Sequence, residues 1–422
     1  MKKQQKYLLI ATSIFISLLF QGCVKDKISH TYSYTWFEPI YKTTDQVRQS
    51  IKSDPATEIK APGKLFIKGK YIFLNEINKG VHIIDNTNPS APVNKAFISI
   101  PGNVDIAVKG NILYADLYTD LLTIDITDPL NAVTKKITDN VFPSRYYDGG
   151  FIPDSTKIVY SWNRHDTTIT SEIGGDFNPI FSVPGIFLET VALNNNAAYA
   201  GGTPVGIAGS MARFALVNDY LYTVGQYELK SINISTPEEP VVVKTSPLTW
   251  NVETIYPFKN NLFIGSGSGM FIYDISNPAS PAQKGTFSHA RVCDPVIADE
   301  DYAYVTLRDG TTCAGFLNEL DIVNISNLNA PVIVKKYDMT NPHGLSKDGD
   351  ILFICDGVDG VRVFDAADVN NVQQIKQITG LETYDVIAYG GIAIVVSKDG
   401  LYQFDYSNTA DIKQLSKMPL GN

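Results

Sequence analysis

Seven blocks of this chain end an apolar, alternating stretch on the same kind of residue, and their spacing constrains the fold more than composition does. Asp or Asn stands at 85, 125, 233, 274, 324, 365 and 405, with separations of 40, 108, 41, 50, 41 and 40. Phe271-Ile272-Tyr273-Asp274-Ile275-Ser276-Asn277-Pro278 shows the pattern most cleanly. The gap of 108 holds one missing mark plus an insertion, and the 50 is one period with a loop added. Each period carries an apolar run, a β-branched and Tyr-rich stretch such as Ala303-Tyr304-Val305-Thr306, and a Gly-bearing turn such as Asp399-Gly400. The strand that ends on the mark follows. These are strand and hairpin signals at regular spacing. Asp or Asn at a strand end bonds the backbone two residues on, and proline stops the strand. Four strands in about 40 residues predict an all-β fold, a β-propeller with one blade per period.

A second register counts the blades. Aligning the repeats on their second strands places Lys64, Asp105, Asp148, Arg213, Glu253, Asp294, His343 and Asp385 at the starts of the first strands. Eight members imply eight blades, the third interrupted by an insertion, so that residues 144–211 form a degenerate repeat. Seven blades is the alternative if that stretch packs outside the ring. The propeller is expected over 61–422. Residues 23–60 form a short N-terminal extension, in which Thr44–Lys52 reads as a capped helix.

Residues 1–22 read as a targeting segment. Lys2, Lys3 and Lys6 precede a 14-residue apolar stretch, Tyr7–Phe20, too short to span a bilayer. Leu19-Phe20-Gln21-Gly22-Cys23 resembles a bacterial lipobox, which implies cleavage before Cys23 and lipidation of its sulfur. Val24 follows where an Asp would signal inner-membrane retention, so the expected location is the outer membrane, facing the periplasm or the cell surface. Loss of the three lysines takes the formal charge from −9 to −12. So acidic a chain has no footprint for nucleic acid, and its membrane contact would come through the lipid on Cys23. With 44% hydrophobic and 11% aromatic residues, it is not a disordered chain either.

The repeat blocks, residues 270–278 above all, resemble the LVIVD-repeat family of bacterial β-propeller proteins, often lipoproteins. The resemblance runs from about Gly63 to Met418, with a poor stretch from Trp162 to Met211. The whole chain is similar to lipoproteins of this class from Bacteroidetes. That resemblance implies a fold and an address, and little chemistry.

Few residues carry a chemical signature. His30, His82, His165, His289 and His343 have no metal-ligand spacing. Gly265-Ser266-Gly267-Ser268-Gly269 fits no phosphate-binding or nucleophile motif and falls where other repeats turn a hairpin. Cys293 and Cys313 flank one hairpin, a reasonable geometry for a disulfide in an oxidising envelope; Cys355 reads as a buried small hydrophobe. The first-strand register would converge on the channel rim, where the second-to-third-strand turns also open. There Glu76, Asp116, Tyr118, Arg308 and Asp356 would join it. Five acids against Lys64 and Arg213 make a negative funnel, suited to Ca²⁺ or Mg²⁺ at the channel mouth or to a cationic or hydroxylated ligand. The preferred function is a binding module for a protein, peptide or glycan. The alternative is a hydrolase or lyase acting on polysaccharide at the channel mouth, against which stands the lack of a nucleophile–base signature.

Overall fold

The computed structural model describes residues 29–142, 157–172, 187–188, 207–225, 227–248, 252–289, 295–309 and 317–421. Seven antiparallel sheets follow one another along the chain, each built in the order first to fourth strand. Blade 1 comprises Pro62–Lys68, Tyr71–Glu76, Gly80–Asp85 and Val93–Ser99. The first strands of blades 2 to 7 are Ile106–Lys109, Phe214–Val217, Val252–Phe258, Val296–Ala298, Leu345–Asp348 and Thr383–Tyr389. These strands contact one another in sequence, the last returning to the first, so the sheets close a ring with their first strands innermost. The molecule is a seven-bladed β-propeller.

The eighth blade of the sequence reading is not formed. Ile158–Glu172, expected within the third repeat, pairs instead with Ser29–Lys42 near the N-terminus, from Lys42 opposite Ile158 to Ser29 opposite Glu172. Phe187–Leu188 adds to the other edge of Ser29–Lys42, giving a separate three-stranded sheet. Within the degenerate stretch, Ile158–Glu172 and Phe187–Leu188 thus lie in this separate sheet and not in a blade, while Ile207–Ala208 pairs with blade 1. Asp148, Asp294, Cys23, Cys293 and Cys313 lie outside the described residues. Cys355 is a buried free thiol.

The expected helix is shorter than its spacing suggested. It covers Thr44–Arg48, with Thr43 as N-cap and Gln46 completing a capping box. Lys52 belongs to a strand, Lys52–Pro55, that adds to the outer edge of blade 1. Arg48 ties the helix to blade 2 through Asp120 and Asp139.

The seven marks have one physical job. In every blade the Asp or Asn Oδ1 accepts the N–H two residues on, at 2.7–3.0 Å, from Thr87, Thr127, Ser235, Ser276, Ser326, Ala367 or Ser407. The residue after each mark turns its N–H back onto a carbonyl of the first-to-second-strand turn, for example Ile126 to Asn111 and Ile275 to Asn260, 2.8 and 2.9 Å. Third and fourth strands then slip register by a bulge in all seven blades. One side chain thus ends the strand, satisfies the turn and sets the twist of the outer strand.

The core lies between blades. Ile59, Leu65, Leu74, Ile387 and Leu401 join blades 1 and 7, while Phe353, Val361, Val386 and Tyr402 join blades 6 and 7. Tyr114 and Tyr222 are fully buried and donate their hydroxyls to Pro237 O and Pro278 O of the next blade, 2.7 and 2.9 Å. Among the described residues, ring closure involves no exchange of strands between the first and last blades. Asn86 and Gln403 exchange two amide hydrogen bonds, 2.9 and 2.7 Å, and Ser416 donates to Pro89 O at 2.7 Å.

The role of the mark can be tested at Asp274, whose Oδ2 also pairs with Lys284 at 2.7 Å. Asp274→Ala should lower unfolding stability by about 1 kcal/mol, the net worth of one such bond. Asp274→Asn keeps the acceptor that Asn233 and Asn324 supply in their blades, and should lose less than about half of that, since an exposed ion pair contributes little. Equal losses in urea titration would show that the turn bond is not what stabilises the repeat.

Candidate functional site

The inner ends of the first strands bring part of the predicted register together, and a segment of the chain crosses between them. Ile207–Ala208 pairs with the inner edge of blade 1, Ile207 opposite Ile67 and Ala208 opposite Phe66. The next residues run across the axis. The Ser210 N–H donates to the Asp385 carboxylate, and Ser210 Oγ accepts from Leu345 N at 2.7 Å. Lys64 Nζ donates to Met211 O at 3.0 Å. Ala212 O accepts from Ile255 N at 2.8 Å. Arg213 N donates to Asp105 Oδ2 at 2.6 Å. Four residues, Ser210 to Arg213, are thus held by five blades, 1, 2, 4, 6 and 7.

Close approach sets the sequence at two points. A Cβ on Gly209 would lie 1.9 Å from Asp385 Oδ2, and one on Gly344 would lie 2.1 Å from Oδ1. Only glycine lets both backbones press against that carboxylate.

Lys64, Asp105 and Asp385 are 4%, 2% and 4% exposed, and Lys64 Nζ is 3.4 Å from Asp105 Oδ2. Burial outweighs the pairing. It pushes the Lys64 ammonium down to about 7, against the attraction of Asp105. It raises Asp385 to about 7 and moves Asp105 upward too.

The turn residues divide in the same way. Asp116 Oδ1 accepts from Asn103 Nδ2, Val104 N and Asp105 N within 2.8 Å. Asp356 is fully buried and accepts from Thr340 N, Asn341 N and Arg362. Burial opposes ionisation of Glu76, but hydrogen bonds from His82 and Lys79 prevail and hold it down at about 2. Tyr118 sits at φ 57° with its ring against Gly102. All four serve the turns that carry them. Glu253, Arg308 and His343 form a separate group on blades 4, 5 and 6: Arg308 Nη1 is 3.4 Å from His343 Nε2, and Glu253 acts on Arg308 through space. Burial, then Arg308, push His343 down to about 3, so it stays neutral.

Among the described residues no three His, Cys, Asp or Glu side chains gather as a metal-holding group. Sequence reasoning missed Gly209, Ser210 and Asn341. The first two lie in the stretch with poorest repeat character, and their bonds are largely to backbone, which leaves no side-chain pattern to read.

The titration of Asp385 has a measurable sign. Its folded pKa, about 7, lies above the ordinary carboxylate value near ~3.9. The folded state therefore holds the proton more tightly, and stability falls as pH rises from about 4 through 7, by up to ~1.4 kcal/mol per unit. Asp385→Asn keeps an acceptor but cannot titrate. The stability of wild type relative to Asp385→Asn should fall between pH 5 and pH 7.5 in urea unfolding. A difference constant with pH would contradict the protonated carboxyl at the axis.

Comparison with known proteins agrees with this architecture. Residues 63–97, 102–139, 259–288 and 291–339 match the LVIVD repeat. No curated protein matches the chain. A Lactobacillus plantarum protein of known crystal structure is similar over 85% of this chain and 97% of its own, with TM-score 0.53 and 11% identity. A functionally unknown protein from Desulfotomaculum acetoxidans is similar over 84% and 95%, with TM-score 0.51 and 12% identity. Saccharomyces cerevisiae Sqt1 is similar over 91% and 89%, with TM-score 0.50 and 7% identity. At such identities the likeness speaks for the fold alone. The chain is a seven-bladed β-propeller that carries LVIVD repeats.

Proposed function

We propose that this protein is an outer-membrane lipoprotein, anchored through Cys23, whose propeller is a binding and interaction module for a protein, peptide or glycan. Its ligand meets the rim on which the second-to-third-strand turns open. One observation carries this reading over an enzyme at the channel mouth: residues 209–213 cross the axis and occupy Lys64, Asp105 and Asp385. The charged groups best placed for chemistry in a central depression are spent on holding backbone. Arg308, Glu253 and His343 stand outside that arrangement. Propellers host both binding and catalysis, so the argument rests on the site and not on the fold. The lipobox-like Leu19–Cys23 supports the anchor, and a multi-acyl chain holds a protein at a membrane essentially permanently.

Two measurements test this. The mature chain, applied to glycan and peptide arrays with Ca²⁺ and again with EDTA, should bind a defined ligand class and leave it chemically unchanged by mass spectrometry. Shortened glycans would instead establish a hydrolase or lyase. Cys23→Ala should leave an unprocessed precursor or release the protein from the membrane fraction; a mature, membrane-bound Ala variant would refute the anchor.

A further inference from the structure

Arg308 ends the second strand of blade 5, just past Tyr302–Leu307, and is partly buried. Its hydrogen-bonding neighbour among the described residues is His343 Nε2, at 3.4 Å. That nitrogen also lies 2.8 Å from Asn341 Oδ1. A neutral imidazole nitrogen cannot both donate to one group and accept from another. The shorter contact takes the proton: Nε2–H donates to Asn341 and cannot receive a hydrogen from Arg308. The guanidinium is left with its planar fork of donors unspent, in a place where burial already lowers its pKa.

The other imidazole nitrogen is enclosed. His343 is 6% exposed, and its Nδ1 is buried with no hydrogen-bond partner among the described residues. With the proton on Nε2 this atom is an unspent acceptor; the other tautomer would bury an unspent donor. The enclosed Nδ1 is out of a ligand's reach, but the guanidinium remains short of an acceptor. A ligand that offers an oxyanion would supply it.

The field selects among oxyanions. Glu253 and Asp309 act on Arg308 through space, and the whole chain carries a formal charge of −9. A doubly charged phosphate meets that repulsion twice over. A singly charged, planar carboxylate matches the guanidinium fork in a bidentate pair.

We propose that Arg308, with Asn341 and His343 beside it, forms a subsite for a carboxylate-bearing ligand on the rim between blades 5 and 6. This deepens the binding-module reading and rests on it. The test uses the mature chain with arginine ¹⁵N-labelled, titrated at constant ionic strength with sodium acetate, sodium D-glucuronate and sodium phosphate while the arginine Nε–H resonances are followed. One resonance should move saturably with acetate and with glucuronate and be absent from Arg308→Gln. Glucuronate binding more tightly than acetate would identify a ligand whose hydroxyls are also used. Phosphate should bind at least about tenfold more weakly, and Arg308→Lys, which keeps charge but not the fork, should lose at least about tenfold in carboxylate affinity when both proteins are compared by calorimetric titration. Arg308→Lys also stands in if Arg308→Gln fails to fold. No saturable shift, a shift unchanged in either variant, or phosphate binding as tightly as a carboxylate would overturn the subsite. Array binding that survived alongside such a result would leave the binding module intact.

Discussion

Three ionisable side chains are withdrawn from water at the axis of this ring, and the rest of the structure follows from how they are accommodated. Burying an ion costs several kcal/mol unless its bonding capacity is met. Lys64 and Asp105 meet each other only at 3.4 Å, and Asp385 comes from the neighbouring blade on the other side. What completes them is backbone: the Ser210 N–H, the Met211 carbonyl and the Arg213 N–H. Beyond the short ladder of Ile207–Ala208 on blade 1, the crossing segment has only single bridges, at Ser210 and Met211, among the described residues. Each side supplies what the other lacks, and Lys64, Asp105 and Asp385 are covered as a consequence.

The same economy governs the periphery. The marks at strand ends cap the third strand and hold the residue after them against the first turn of the same blade, so each blade is largely satisfied within itself. Blades then join through apolar faces, with tyrosine hydroxyls bridging to the next blade. Blades 1 and 7 meet in the same manner, by the Leu65–Ile387 cluster and the Asn86–Gln403 amide pair, with no shared strand among the described residues. Closure thus depends on side-chain packing between two ends of the chain more than 300 residues apart in sequence.

Much of this was legible because the blade is a local object. Period-2 alternation, a Gly turn and a strand-ending Asp all act within about 40 residues, and the seven marks correspond one to one with the seven blades. The eight-member register overcounted because Ile158-Val159-Tyr160 has the composition of a second strand. Its partner, Ser29–Lys42, lies more than 100 residues away, and composition carries no information about that pairing. Lys64, Asp105 and Asp385 were placed correctly at the starts of first strands. That they would be buried beneath Gly209–Arg213 was not visible, because hydrogen bonds to backbone impose almost no residue type, glycine excepted. Arg308 likewise could be placed at a strand end but not seen to lack an acceptor, since that depends on His343 Nε2–H donating to Asn341 Oδ1.

The central claim is that residues 209–213 are a fixed part of the ring, and native-state hydrogen exchange tests it most directly. If the crossing segment is held as described, the amides of Ser210, Arg213 and Leu345 exchange only by the opening that also releases ring amides such as Leu113, and share its dependence on denaturant. Fast exchange at Ser210 and Arg213, with Leu113 still protected, would mean that the segment leaves the axis while the ring stays folded, and that Lys64, Asp105 and Asp385 are open to ligands after all.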